Sequence, residues 1–183
     1  NGIRLNRYDA AGNLTITEQQ VETESSGTQS QPQVEALTTG GYVVTWTSNT
    51  SGSAGDGNSN AVIAQVFNAA GTSVGGELVV NQQTVGAQDT GDVSALAGGG
   101  FVVVWEENEV ANGDGSSSSI VARVFDQNGA AVTGDTLVNT FTEGAQSNPK
   151  VATLVNGDFV VTWRSAGQDT SSGGVYYQRF AAD

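Results

Sequence analysis

The chain of 183 residues contains no cysteine, no histidine and no methionine. Without cysteine there is no disulfide framework, no thiolate zinc site and no thiol nucleophile. Without histidine the commonest general base and the commonest transition-metal ligand are missing as well. Cations are scarce: 6 Lys and Arg stand against 19 Asp and Glu, a formal charge of −13. Lys150 and the five arginines are scattered along the sequence. Nucleic acid and anionic membrane surfaces need clustered cations, so neither is an expected partner. No run of 18 apolar residues occurs, which argues against insertion into a membrane as a helix. There is no leader pattern and no initiator methionine, so the chain reads as a processed product or a segment of something longer.

What the sequence does contain is a repeat. The word Tyr42-Val43-Val44-Thr45-Trp46 returns as Phe101-Val102-Val103-Val104-Trp105 and as Phe159-Val160-Val161-Thr162-Trp163. The three tryptophans are 59 and 58 residues apart, one position of one unit. In an extended strand the aromatic, the central valine and the tryptophan point to one side, and the two residues between them to the other. Both faces are apolar, which predicts a strand covered on both sides within a stack of sheets. Valine-rich surroundings make the tryptophans core residues rather than platforms for sugar rings.

Aligned on these words, the other elements fall into register. A polar loop rich in Gly, Ser, Asp and Asn follows each tryptophan, and then a strand ending in an aromatic: Val62 to Phe67, Ile120 to Phe125, Val175 to Phe180, with a copy at Ile3 to Tyr8. The turns Asp9-Ala10-Ala11-Gly12, Asn68-Ala69-Ala70-Gly71 and Asp126-Gln127-Asn128-Gly129 open on an Asx and close on a glycine. A shorter strand comes next, then a segment led by Gln29, Gln88 or Gln146, then a Val-x-Ala-Leu type strand joined by a glycine turn to the tryptophan strand. The expected fold is all-β, with three units of about 58 residues, each of four antiparallel strands arranged as a β-propeller-like blade. A β-trefoil is the alternative. Residues 1–183 form one repeat-built segment: a partial blade at 1–28, repeats at 29–87 and 88–145, and a partial repeat at 146–183. The phase leaves one aromatic-ending strand unmatched on simple ring closure, which predicts a piece of a longer propeller, an open stack, or two chains completing one ring.

The residues Gln146-Ser147-Asn148-Pro149-Lys150-Val151-Ala152-Thr153-Leu154, Gly157-Asp158-Phe159-Val160-Val161-Thr162-Trp163 and Val175-Tyr176-Tyr177-Gln178-Arg179-Phe180 resemble propeller-like repeats of large secreted bacterial proteins, the RTX-type adhesins and hemolysin-like calcium-binding surface proteins. The resemblance implies an extracellular, cell-surface location. The glycine-and-aspartate nonapeptide array of calcium rolls is not in this sequence.

For chemistry, the residues that break the repeat are the informative ones. Glu106, Glu107 and Glu109 follow Trp105 where the other copies have Thr47-Ser48-Asn49 and Arg164-Ser165-Ala166, and they form a candidate binding cluster. Paired carboxylates can hydrolyse glycosides in principle, but without His or Cys the expectation is that the chain is not an enzyme. Calcium is the expected ion: Asp56, Asn58, Asp114 and Asp169 place hard oxygen donors beside glycines in the loops after each tryptophan. The sequence therefore reads as a non-catalytic structural or adhesive module of a bacterial surface or secreted protein. Alternatives are a self-assembling subunit of a filament or surface layer joined by strand complementation, and a carbohydrate-binding propeller. The expected partners are further copies or repeats of the same chain and surface glycans.

Overall fold

The structure is a computed structural model that describes residues 2–24, 26–49, 57–108, 115–169 and 172–181. Among them are thirteen β-strands and no helix. Strands β1 (Arg4–Tyr8) and β2 (Leu14–Gln20) form a two-stranded ribbon. A first sheet of four follows, β3 (Thr28–Ala36), β4 (Tyr42–Asn49), β5 (Ala61–Phe67) and β6 (Ser73–Val79). The second sheet is β7 (Gln88–Ala95), β8 (Phe101–Glu107), β9 (Ser119–Phe125) and β10 (Thr136–Leu137), and the third is β11 (Gln146–Thr153), β12 (Phe159–Ser165) and β13 (Gly174–Phe180). Strands pair antiparallel in chain order, as successive hairpins require. The all-β, blade-like repeat expected from the sequence is the fold observed, in the expected phase. β10 is shorter than the sequence suggested, only two residues.

The stacking explains the two-faced tryptophan strand and leaves no place for the trefoil. Val62, Ala64 and Val66 of β5 pack with Val43 against Phe101, Val103 and Trp105 of the next sheet. One repeat on, Val102, Val104, Ile120 and Ala122 meet Phe159, Val161 and Trp163. At the other end Ile3 and Val21 of the ribbon region cover Val44, Trp46 and Ile63. Each sheet thus offers branched aliphatics to one neighbour and an aromatic face to the other, and Trp46, Trp105 and Trp163 are all buried. The aromatic that opens each tryptophan strand stacks on the one that ends the next strand, at 4.9 Å for Tyr42 and Phe67, 5.2 Å for Phe101 and Phe125, and 5.0 Å for Phe159 and Phe180.

Three local devices set the repeat. In each Asx turn the side-chain oxygen of Asp9, Asn68 or Asp126 accepts two backbone N–H groups, and Gly12, Gly71 and Gly129 sit at φ of 83°, 85° and 87°. A clasp closes each outer hairpin: Glu22, Asn81 and Asn139 accept the N–H of Ile3, Val62 and Ile120, in every case 19 residues back. The buried amides of Gln29, Gln88 and Gln146 donate to the carbonyls of Ser26, Val85 and Glu143, which ties down the loop before each first strand.

First strands of neighbouring sheets meet edge to edge. Ala95 N–H donates to Glu35, and Val151 and Thr153 N–H donate to Asp92 and Ser94. Each first strand carries an irregularity, at Ser30/Gln33, Thr90/Asp92 and Ser147/Lys150. Pro32 and Pro149 fall inside two of these, where a missing N–H breaks no ladder. The middle copy has Gly91 instead, and the reason is contact: a Cβ there would lie 2.3 Å from the Pro149 ring and 3.0 Å from the Val104 carbonyl oxygen. Gly91→Ala is therefore expected to cost about 2 kcal/mol through forced repacking between the second and third sheets. A urea midpoint unchanged from the parent chain would contradict this.

Candidate functional site between the second and third sheets

Glu106 is the sixth residue of β8, on the same face as Val102 and Val104 and therefore turned toward the third sheet. Its cross-strand partners are Asp89 on β7 and Ile120 on β9. It is half-buried, and burial pushes its carboxyl above the usual carboxylate range. The Asn148 backbone N–H and the Ser118 hydroxyl bond it and pull the other way, and the charge of Asp89 adds a smaller upward push. Asn148 can present that N–H because the bulge of β11 holds it at φ 55°.

Asp89 sits directly opposite, in a row of amides. Its two oxygens accept from Asn60 at 2.8 Å and Asn108 at 3.4 Å, and Asn60 accepts from Asn49 at 2.8 Å. The arrangement holds the Glu106 carboxyl in a desolvated setting that favours its proton, beside the Asp89 carboxyl group, whose oxygens accept from amide N–H groups. Two carboxyls in unlike environments are the elements of acid–base chemistry on a polar bond.

The other candidate residues are distributed differently. Glu107 points to the opposite face of β8, is 2% exposed and accepts from the Gln88 amide at 2.8 Å; Gln88 in turn accepts from Asn81 at 3.2 Å. It belongs to a polar network between the first and second sheets, not to the Glu106 pair. Glu109, Asp56 and Asp114 lie outside the described residues. Asn58 and Asp169 are exposed, far apart in sequence, and Asp169 accepts from the Tyr176 hydroxyl at 3.3 Å. Among the described residues no three of His, Cys, Asp or Glu converge as a metal site.

Two acidic residues of this region carried too little signal in the sequence. Asp89 breaks the Ser30 and Ser147 pattern, but only the β7–β8 register reveals that it faces Glu106. Asp135 accepts the N–H groups of Gln82 and Gln83 at 2.7 and 3.3 Å, a clamp on the preceding repeat. Burial pushes its carboxyl up, while those N–H groups and Arg123 oppose the shift. Asp135 and Glu107 line a small cavity of about 360 Å³ with Gln82 and Gln83. A larger, mostly apolar cavity of about 540 Å³ lies at the turn end of the second and third sheets, against Val124, Phe159 and Phe180.

No protein-family model matches the chain, and no curated protein matches it. Solved structures do share its fold. One is an endo-arabinase from Bacteroides thetaiotaomicron, at TM-score 0.54 and 11% identity, covering 100% of this chain and 66% of that one. Another is a thermostable family-43 glycoside hydrolase, at TM-score 0.56 and 11% identity, covering 97% of this chain and 67% of that one. The chain thus spans about two thirds of the length of these enzymes.

These likenesses correct the functional expectation drawn from the sequence. The fold neighbours are catalytic, carbohydrate-active enzymes. The readings of a non-enzymatic adhesive or structural module, of a calcium-binding surface protein, of a filament subunit and of a purely carbohydrate-binding propeller are accordingly set aside. The physical reason for the error lies in what repeats record. Recurring positions here are core and turn residues, and they report architecture, whereas chemistry on such a scaffold depends on a few side chains that need not recur.

Proposed function

We propose that this chain is a glycan-directed hydrolytic domain in which Glu106 donates a proton to the leaving oxygen of a glycosidic bond and Asp89 supplies the partner carboxylate. The observation that carries the reading is the half-buried Glu106 carboxyl, raised by burial and set directly across the strand pair from Asp89. The shared fold with an endo-arabinase and a family-43 glycoside hydrolase supports it by analogy. Asn60, Asn108 and Ser118, which bond or neighbour the two carboxyls, are the amide and hydroxyl types that hold sugar hydroxyls. We place this activity outside the cell, where a cysteine-free acidic chain needs no reducing environment.

The test is release of reducing ends from a panel of neutral polysaccharides, with arabinan first. The expected result is turnover of at least one arabinose-containing polymer. Absence of turnover across the panel by folded protein would overturn the reading.

A further inference from the structure

Three buried polar positions recur where one sheet meets the next. Between the first and second sheets they hold Asn81, Gln88 and Glu107, which bond one another directly: Asn81 donates to the Gln88 Oε1 at 3.2 Å, and the Gln88 Nε2 donates to Glu107 at 2.8 Å. Between the second and third sheets the same positions, each 58 residues further on, hold Asn139, Gln146 and Ser165. The asparagine and the glutamine are kept. A glutamate is replaced by a much shorter hydroxyl.

That exchange interrupts the row of bonds. Gln146 and Ser165 are both 0% exposed and stand directly opposite each other in the β11–β12 register, so their side chains share one face. The Gln146 Nε2 donates to the carbonyls of Glu143 and Gly144, both at 3.1 Å. Its Oε1 and the Ser165 Oγ have no hydrogen-bond partner among the described residues. The first sheet shows the same correlation: Gln29 stands opposite Ser48, and its Oε1 also lacks a partner among the described residues. The glutamine oxygen is thus bonded where the facing residue is glutamate and unbonded where it is serine. Buried polar atoms are costly to leave unpaired, and two such atoms side by side mark a place for a small polar partner. The partner must donate to an amide oxygen, bond a hydroxyl, and fit the space by which a glutamate side chain exceeds a serine. Water does all three, and the pair supplies the polar contacts that hold a buried water.

We propose that Gln146 Oε1 and Ser165 Oγ bind one internal water molecule, which takes between the second and third sheets the place that the Glu107 carboxylate takes between the first and second. The water donates to the glutamine oxygen and accepts from the serine hydroxyl. Its site is tied to the candidate carboxyl pair through Ser118, a neighbour of Glu106: the Ser118 hydroxyl donates to the Gln146 carbonyl at 2.8 Å, and the Gln146 N–H donates to the Ser118 carbonyl at 3.0 Å. The water site goes beyond the hydrolytic reading and does not rest on it.

A high-resolution crystal structure of the chain tests this, together with rotating-frame cross-relaxation between water and protein protons in solution. The expected result is ordered solvent roughly 3 Å from both Gln146 Oε1 and Ser165 Oγ, and a water cross-peak to the Gln146 side-chain amide protons. Ser165→Glu, which introduces the residue type of Glu107, should abolish both signals while leaving the circular dichroism in place. Ser165→Val, which fills the space with an apolar group, is the second variant and should do the same. Lack of solvent at both atoms in the parent chain would overturn the proposal, whether or not the variants fold. So would a water signal that persists in either folded variant, because other groups would then be holding it.

Discussion

Trp105→Ala is expected to lower stability by about 4 kcal/mol. Trp105 is 0% exposed and stands in the apolar layer between the first and second sheets, with Val62, Ala64, Phe101 and Val121 around it. Neither neighbour can collapse into the space left, because each is held by its own hairpin and by the first-strand contacts at Ala95 and Glu35. A residual cavity is the result, and its cost adds to the lost transfer free energy. Trp105→Phe should cost much less. The indole N–H of Trp105 is buried without a hydrogen-bond partner, so its removal breaks no bond. Thermal and urea unfolding of the two variants provide the check; equal losses for Phe and Ala would contradict the cavity account.

Glu106→Gln is expected to reduce any glycan hydrolysis by about 10²–10⁴-fold, the usual contribution of a positioned general acid. Glutamine keeps the shape and can still accept from the Asn148 N–H. It cannot deliver a proton. Asp89→Asn should bring a loss of similar size by removing the second carboxylate. The substitution at Glu106 also has a pH signature independent of activity. Burial raises the Glu106 pKa in the folded chain, so the folded state binds the proton more tightly than the unfolded one. Stability from this group is therefore present below its ordinary pKa and lost as pH rises through the raised one. Glu106→Gln should remove that part of the decline. Asp135, also raised by burial, leaves a similar slope in place. An unchanged pH–stability profile in the variant would mean that Glu106 is not desolvated.

The fold was legible because it is written three times. The aromatic-Val-Val-x-Trp word specifies which side of each strand meets which neighbour, and the Asx-to-Gly turns specify where the chain reverses. Each glutamine of the Gln29, Gln88, Gln146 series was visible as an echo, but its role in closing a loop needed the backbone carbonyl it reaches. The candidate site was legible by half. Glu106 stood out because it replaces Thr47 and Arg164, whereas grouping it with Glu107 was misleading, since adjacent strand residues face opposite sides. Its partner Asp89 is 17 positions away in the sequence and becomes a neighbour only through the β7–β8 pairing.

The 19-residue clasp has a consequence for how such a chain is made. Glu22, Asn81 and Asn139 each complete a unit from residues that leave the ribosome almost together. Contacts to the next unit come one period later, as at Asp92 and Val151 or Ser94 and Thr153, 59 residues apart. A nascent chain with these two separations can consolidate each hairpin as it emerges and dock it on the preceding sheet without waiting for a distant partner. Duplication or excision of a whole period would leave both separations unchanged, so the gene can lengthen or shorten the stack without retuning any clasp.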